Sequence, residues 1–561
     1  MEAISLFKIP VSISRKQRNA GRPLFQRNLG ARLSLRSLAA ALTLAVAACA
    51  GDLDSDNVVI VEGFAGLVAA DEPRAAVVGR EVLTNGGNAV DAGIAMYFTM
   101  AVTMPSRAGL GGGGSCVVFT ANSADDDMEP FANAYVFPAS RGAATPPLAM
   151  NTRAMGVIHA RHARLRWEQA VAHGEQFARF GYPISRAFAH DLEAGRSIVG
   201  GDPALFRSLS NPSGGLVREG DVITQEALAT TLSGIRAKGA GYLYQGAFAD
   251  RLVEGYAGLG VELTKEQIWN TLPASPEPMV VDTGSDEAYF APPPADGGLI
   301  SVQMWQILEE VESYEGADDE TRAHLFAEAS LAAFAERGKW LDSDGAVSRP
   351  VAELVGEDHL EKVFSPYDSK RHRSPATFDP PPQRLPSDIW AAGFIVADPT
   401  GNAMACSFTM NGLFGAGRMI GNTGIVLAAP TRLGASNLTP VIVGNPNTGD
   451  LRFAASASGG ISAPAALVQT MLLAWDEEGD LIGAVAAPRV THVGAPDVTW
   501  VEPDLSSEVQ AALAARGHQV EPAREIGRVI ALFCPDGILD DVENCEVVAD
   551  KRGNGLALRV Q

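Results

Sequence analysis

A layered α/β fold is predicted for this 561-residue chain, and three observations predict it. The first part mixes helical and strand-like apolar spacing, a Pro- and charge-rich connector runs through 343–387, and the part beyond the connector is strand-rich. With 46% hydrophobic and 20% charged residues, the chain can bury a large core, and its composition is that of a globular protein.

The elements follow in order. "RAAVVGREVLTN" (74–85) has helical apolar spacing and is stopped by Asn85-Gly86-Gly87. Asn88, a good N-cap, restarts the chain as "AVDAGIAMYFTMAV", a helix apolar nearly all round and therefore central. It ends near Pro105. "RAGLGGGG" (107–114) then leads into the strand "SCVVFT". No Gly-Lys-Ser/Thr follows the glycines and no helix begins there, so a phosphate loop is excluded and close backbone packing explains the missing side chains. "FAPPPADGGLISVQMWQILEEV" (290–311) is a Pro-rich turn and an amphipathic helix. "DDETRAHLFAEASLAAFAERGKWLD" (318–342) is a long helix with an acidic first turn. The segment 343–387 is expected to be exposed. Strands are expected at 393–398, 403–409, 440–443 and 451–457, and a helix at about 463–475.

The N-terminus reads as an export signal. A basic stretch ending at Arg32 and Arg36 precedes "LAAALTLAVAA" (38–48), and Cys49 and a polar run follow. The apolar stretch is too short to span a bilayer, and Val46-Ala47-Ala48-Cys49 resembles the lipobox of bacterial lipoproteins. Residues 1–48 are expected to be removed and Cys49 to be acylated. Ala50 and Gly51 give no inner-membrane retention signal, so the expected location is the outer membrane, facing the periplasm, with the lipid as sole anchor. The first 48 residues carry eight Lys/Arg and only Glu2, so their removal makes the chain still more acidic than its formal charge of -22. Such a surface repels phosphates, and nucleic acid is excluded as a partner.

Four cysteines remain. Cys116 and Cys406 lie in apolar strand-like runs and read as small buried residues. Cys534 and Cys545 flank the turn-rich "PDGILDDVEN" and are expected to form a disulfide, as export allows. There is no CxxC, no HExxH and no run of histidines among the nine present, so no metal or cofactor is expected.

Several stretches together carry a family resemblance. "NGGNAVDAGIAM", "MPSRAGLGGGG", "PPPADGGLISVQMWQILE", "HLFAEASLAAFAERGKWL", "FIVADPTGNAMACSFTMNGLFGAG", "SASGGISAP" and "AVAAPRVTH" stand in the order and near the spacing of the gamma-glutamyltransferase family, over roughly 59–535. The resemblance implies an N-terminal-nucleophile hydrolase, an αββα sandwich, as a single domain over 49–561. Its large-subunit-like part would run from about 59 to 387 and its small-subunit-like part from 388 to 561. Members of that family cleave themselves in the connector, exposing a threonine that heads a strand and attacks the gamma-glutamyl bond of glutathione.

Matching "FIVADPTGNA" to the family's strand and turn places its Thr-Thr-His head on Ala391-Ala392-Gly393. The nucleophile position is then Ala391, and alanine cannot attack a carbonyl. Gly459 and Gly460 resemble the paired glycines of the oxyanion hole, and Thr409 and Asn411 fall on positions lining the glutamyl site. The arginine that holds the substrate carboxylate corresponds to Pro138, with Arg141 nearby. The acidic contact to the substrate amine corresponds to Leu433, and the paired serines to Ser436 and Asn437. The resemblance with these losses implies a degenerate, non-processing envelope protein that binds a small gamma-glutamyl or peptide-like ligand or a partner. The alternative is an active gamma-glutamyl transferase or hydrolase with another nucleophile. Ser387 is a poor candidate, because four extended residues put it roughly 13 Å from position 391.

Overall fold

The computed structural model describes residues 63–121, 129–140, 146–310, 314, 316–342, 346–378, 391–430, 437–476 and 480–561. Cys49, Arg141, Ser387, Leu433 and Ser436 lie outside the described residues. Residues Ile60–Gln561 form one compact unit.

Two six-stranded sheets stack face to face. In chain order the strands are β1 (Gly66–Ala70), β2 (Gly113–Thr120), β3 (Phe131–Phe137), β4 (Met279–Asp282), β5 (Glu287–Phe290), β6 (Ala391–Ala397), β7 (Ala403–Thr409), β8 (Thr439–Gly444), β9 (Leu451–Ser458), β10 (Arg528–Phe533), β11 (Glu546–Ala549) and β12 (Leu556–Val560). One sheet has the order β12-β1-β6-β7-β2-β3 and the other β11-β10-β9-β8-β5-β4. All pairings in both are antiparallel.

The alternation along each strand divides the interior into three layers. Ala392, Phe394 and Val396 of β6 join a core with helices α1 (Pro73–Thr84) and α2 (Ala89–Thr103). Ile395 and Ala397 face the other sheet and meet Ile442, Ala454 and Leu532. Phe453, Ala455 and Ala457 of β9 point away, into a core with α3 (Asp296–Glu310), α4 (Asp319–Trp340) and α5 (Ala463–Asp476). The layers are therefore helix, sheet, sheet, helix.

Local chemistry explains the helix boundaries. Asn88 and Asp91 form a reciprocal capping box that starts α2, every residue of which is buried. Asp318 caps α4 by accepting from Thr321 N at 2.9 Å. The glycine run packs as expected: a Cβ on Gly111 would lie 1.9 Å from Val426 O, and one on Gly113 would lie 2.2 Å from Ala139 N.

Two expectations are corrected. Cys116 and Cys406 are not merely buried; they form a disulfide, because they stand directly opposite each other on β2 and β7 with Cα atoms 4.1 Å apart. Such a narrow antiparallel pair brings the two Cβ atoms within bonding reach. The connector is also less exposed than its composition suggests. Helix Glu357–Phe364 buries Leu360 and Val363 in the outer helical core, as does Phe378 beyond it. The Cys534–Cys545 disulfide is present, with Cα atoms 4.1 Å apart. Among the described residues, no helix is long and apolar enough to cross a membrane.

Candidate functional site

The candidate site lies where several strand ends meet. Within the first sheet, Ala391 is opposite Thr409, and Thr409 is opposite Gly113. Pro138, which follows β3, comes against Gly113 at the same end, with its carbonyl carbon 2.7 Å from where a Gly113 Cβ would stand. Three sequence-predicted positions, Ala391, Thr409 and Pro138, therefore share one row.

The second sheet supplies the opposite wall. A Cβ on Gly393 would lie 2.2 Å from Ser456 Oγ, and one on Gly401 would lie 3.0 Å from Gly449 O. β6 and β9 thus cross in opposite directions, so Ala391 comes level with Ser458, and Gly459 and Gly460 follow at once. Ser407 and Ser456 join the two sheets by a hydroxyl pair 2.7 Å apart.

The paired glycines are demanded by the backbone. Gly459 has φ 138° and Gly460 φ 57°, values that side-chain-bearing residues rarely adopt. A Cβ on Gly459 would stand 2.6 Å from Gly527 Cα. Neither amide donates a hydrogen bond to another described residue, and Ser458 Oγ beside them is buried with no partner among the described residues. Two N–H donors and a hydroxyl at the end of a strand are the elements of a cradle for a carbonyl oxygen.

The polar residues carried over by resemblance have structural work here. Thr409 Oγ1 accepts from Asn411 N at 2.9 Å. Asn411, at φ 59°, donates from Nδ2 to Ala429 O at 2.9 Å. Asn437 accepts from Arg337 Nη1 at 3.3 Å.

Charged groups that the sequence reading did not single out surround Ala391. Arg107 Nη1 donates to Ala391 O at 3.3 Å, and its Nε donates to Asp191 Oδ2 at 2.8 Å. Burial disfavours the guanidinium, but the Asp191 charge more than offsets this and keeps it protonated. Asp71 accepts from Gly393 N at 2.8 Å, and burial raises its carboxyl above the ordinary range. The space lined by Asp71, Arg107, His190, Arg528 and Asn554 has a volume of only about 10 Å³, room for about one water. Across the layer, Asp296 heads α3 fully buried, 3.5 Å from Arg337 Nη1, and burial raises its carboxyl too. Arg107 stands just before the glycine run and Ser458 just before the paired glycines, and those positions were the available signals.

A family model for gamma-glutamyltranspeptidase matches residues 75–432 and 427–560. The chain belongs to the gamma-glutamyltranspeptidase family. It is 26% identical over 518 residues to the glutathione hydrolase proenzyme of Escherichia coli (strain K12), covering 84% of this chain and 89% of that one. It is likewise 26% identical over 558 residues to the glutathione hydrolase proenzyme of Bacillus subtilis (strain 168), covering 89% and 92%. The fold matches the crystal structure of cephalosporin acylase from Bacillus halodurans with a TM-score of 0.73 at 20% identity, over 88% of this chain and 96% of that chain. The architecture is that of an N-terminal-nucleophile hydrolase, as the resemblance implied.

Proposed function

We propose that this family member neither cleaves itself nor transfers gamma-glutamyl groups, and that it serves in the bacterial envelope as a binding protein for a small gamma-glutamyl or peptide-like ligand or for a partner. One observation carries the reading. The residue that heads β6, level with the Gly459-Gly460 cradle, is Ala391, whose side chain is a methyl group 6% exposed and whose carbonyl is engaged by Arg107. Self-cleavage and acyl transfer both need a side-chain nucleophile at that point. The retained cradle would hold a carbonyl oxygen without a reaction following. Acylation at Cys49 would place the protein on the outer membrane facing the periplasm.

A second reading has one observation in its favour. Ser458 Oγ is buried without a partner among the described residues, level with Ala391, and is a hydroxyl from which an active hydrolase with another nucleophile could be built. Hydrolysis of a chromogenic gamma-glutamyl anilide separates the two. The binding-protein reading expects none from the wild type. Hydrolysis by the wild type that disappears in Ser458→Ala would replace it with the second.

The reading also expects Ala391→Thr to be insufficient for turnover. Catalysis requires the substrate to be held in line, and by the sequence resemblance Pro138 and Leu433 replace the family's charged contacts. Robust hydrolysis by Ala391→Thr would show that the ligand clamps are intact after all.

A further inference from the structure

Away from the candidate site, the fold gathers four of the chain's nine histidines around helix α4. His324 and Glu328 are one turn apart on that helix. His518 follows helix Ser507–Ala515, His372 comes from the connector, and His492 ends the short strand Val490–His492. His324 Nδ1 lies 2.7 Å from His518 Nε2, and Glu328 Oε1 lies 3.7 Å from that same nitrogen. All three side chains are buried.

The ring protons can be assigned from the partners. His324 Nε2 is 3.0 Å from the carbonyl oxygen of Asp368, which only accepts, so Nε2 carries the proton and Nδ1 presents a lone pair. His518 Nδ1 is 2.7 Å from Thr499 Oγ1. That hydroxyl can donate or accept; when it accepts, His518 Nε2 presents a second lone pair facing the first. Glu328 Oε1 accepts from His372 Nδ1 at 2.6 Å and from Arg373 N at 3.4 Å. Two imidazole nitrogens and one carboxylate oxygen therefore converge, each held from behind by a polar group. That is how the outer partners of a metal site fix ring orientation and tautomer.

We propose that His324 Nδ1, His518 Nε2 and Glu328 Oε1 bind a divalent transition-metal ion, zinc by its donor set, with Asp368, Thr499 and His372 orienting the ligands. Two imidazoles and a carboxylate suit zinc. Bonds of about 2.0 Å would part the two nitrogens from 2.7 Å to roughly 3.3 Å in a tetrahedral site, while the carboxylate already stands at a suitable distance. Without the ion, a proton on His518 Nε2 bridges the same two nitrogens and the Thr499 hydroxyl turns to donate. Loading the ion requires the other tautomer of one ring, the rotation of one hydroxyl and that small separation of the two rings. A neighbouring triple, His372, His492 and Asp497, is excluded by the same accounting. His492 Nδ1 accepts from Gly494 N at 3.2 Å, so its Nε2 holds the proton and has no lone pair to give. The ion would tie α4 to the connector at Asp368–His372 and to the Thr499–His518 segment, a role independent of the chemistry at Ala391.

The test is calorimetric titration of zinc chloride alone into the chelator-treated full chain, made without a polyhistidine tag. One equivalent should bind with submicromolar affinity. His518→Gln should abolish binding, Thr499→Val should weaken it roughly 10- to 100-fold, and His492→Gln should leave it unchanged. If circular dichroism shows that His518→Gln does not fold, X-ray absorption of the wild-type zinc complex decides, with two imidazoles and a carboxylate expected. Absence of saturable zinc binding by the wild type would overturn the assignment. So would binding retained in a folded His518→Gln variant, binding lost in His492→Gln, or an absorption spectrum with fewer than two imidazoles.

Discussion

Arg107 Nη1 donates to the carbonyl oxygen of Ala391 across 3.3 Å, so the first residue of β6 is tied to the short helix Pro105–Ala108 after α2 by a side chain that is itself locked to Asp191. The ion pair is buried, with side-chain exposures of 5% and 1%. It fixes the strand head without any contribution from the Ala391 side chain.

Removing one partner of that pair should be costly. Arg107→Met leaves Asp191 charged and uncompensated and is expected to lower stability by about 3–5 kcal/mol. The double variant Arg107→Met/Asp191→Leu removes both charges and should recover most of that loss. Urea unfolding of the three proteins checks this, and equal losses in the single and double variants would show that the charge pairing is not the cause.

The two disulfides should differ in weight. In the chain-entropy account, the Cys534–Cys545 bridge, with a sequence separation of 11, contributes about 3 kcal/mol. The Cys116–Cys406 bridge, with a separation of 290, contributes about 6 kcal/mol. Paired Cys→Ser variants compared by denaturant midpoint should rank in that order. Peptide mapping under non-reducing conditions should show both cross-links in the purified protein.

Acid sensitivity should trace in part to His162. Burial, with the Arg161 charge adding to it, lowers its imidazole from the ordinary 6.5 to about 4, and its Nε2 lies 2.7 Å from Tyr135 Oη. The folded state therefore resists the proton that the unfolded chain accepts. Its contribution to stability is present above about pH 6.5 and is lost as pH falls from there towards 4. His162→Gln should flatten the pH dependence of unfolding in that window, and an unchanged slope would remove His162 from the account.

Lipidation is tested by the mature N-terminus. Mass analysis of protein expressed in a bacterial host with lipoprotein machinery should find acylated Cys49 as the first residue, and Cys49→Ser should release the protein from the membrane fraction. An unmodified N-terminus elsewhere would contradict the anchor.

What the sequence made legible was what depends on local chemistry. Asn88 with Asp91, the proline-rich entry to α3 and the alternation in β6 and β7 each announce an element by rules that act within a few residues, and the structure keeps them. The family resemblance extended this to the layer order. What stayed hidden depends on register and crossing. Cys116 and Cys406 read as apolar strand residues because nothing local reveals that β2 and β7 pair in the register that opposes them. Arg107 finds Asp191 and Ala391 only once three distant segments meet, and the histidines around α4 come from parts of the chain almost 200 residues apart in sequence. The connector misled by composition, since its prolines and charges outnumber the Leu360, Val363 and Phe378 that hold it to the core.

The central claim, that Ala391 leaves this family member without self-cleavage or gamma-glutamyl transfer, is tested most directly by intact-mass measurement of the purified mature wild type alongside gamma-glutamyl anilide hydrolysis. The account predicts one uncleaved chain and no hydrolysis above the uncatalysed rate. Two fragments joined at or near Trp390-Ala391, together with robust hydrolysis, would contradict it.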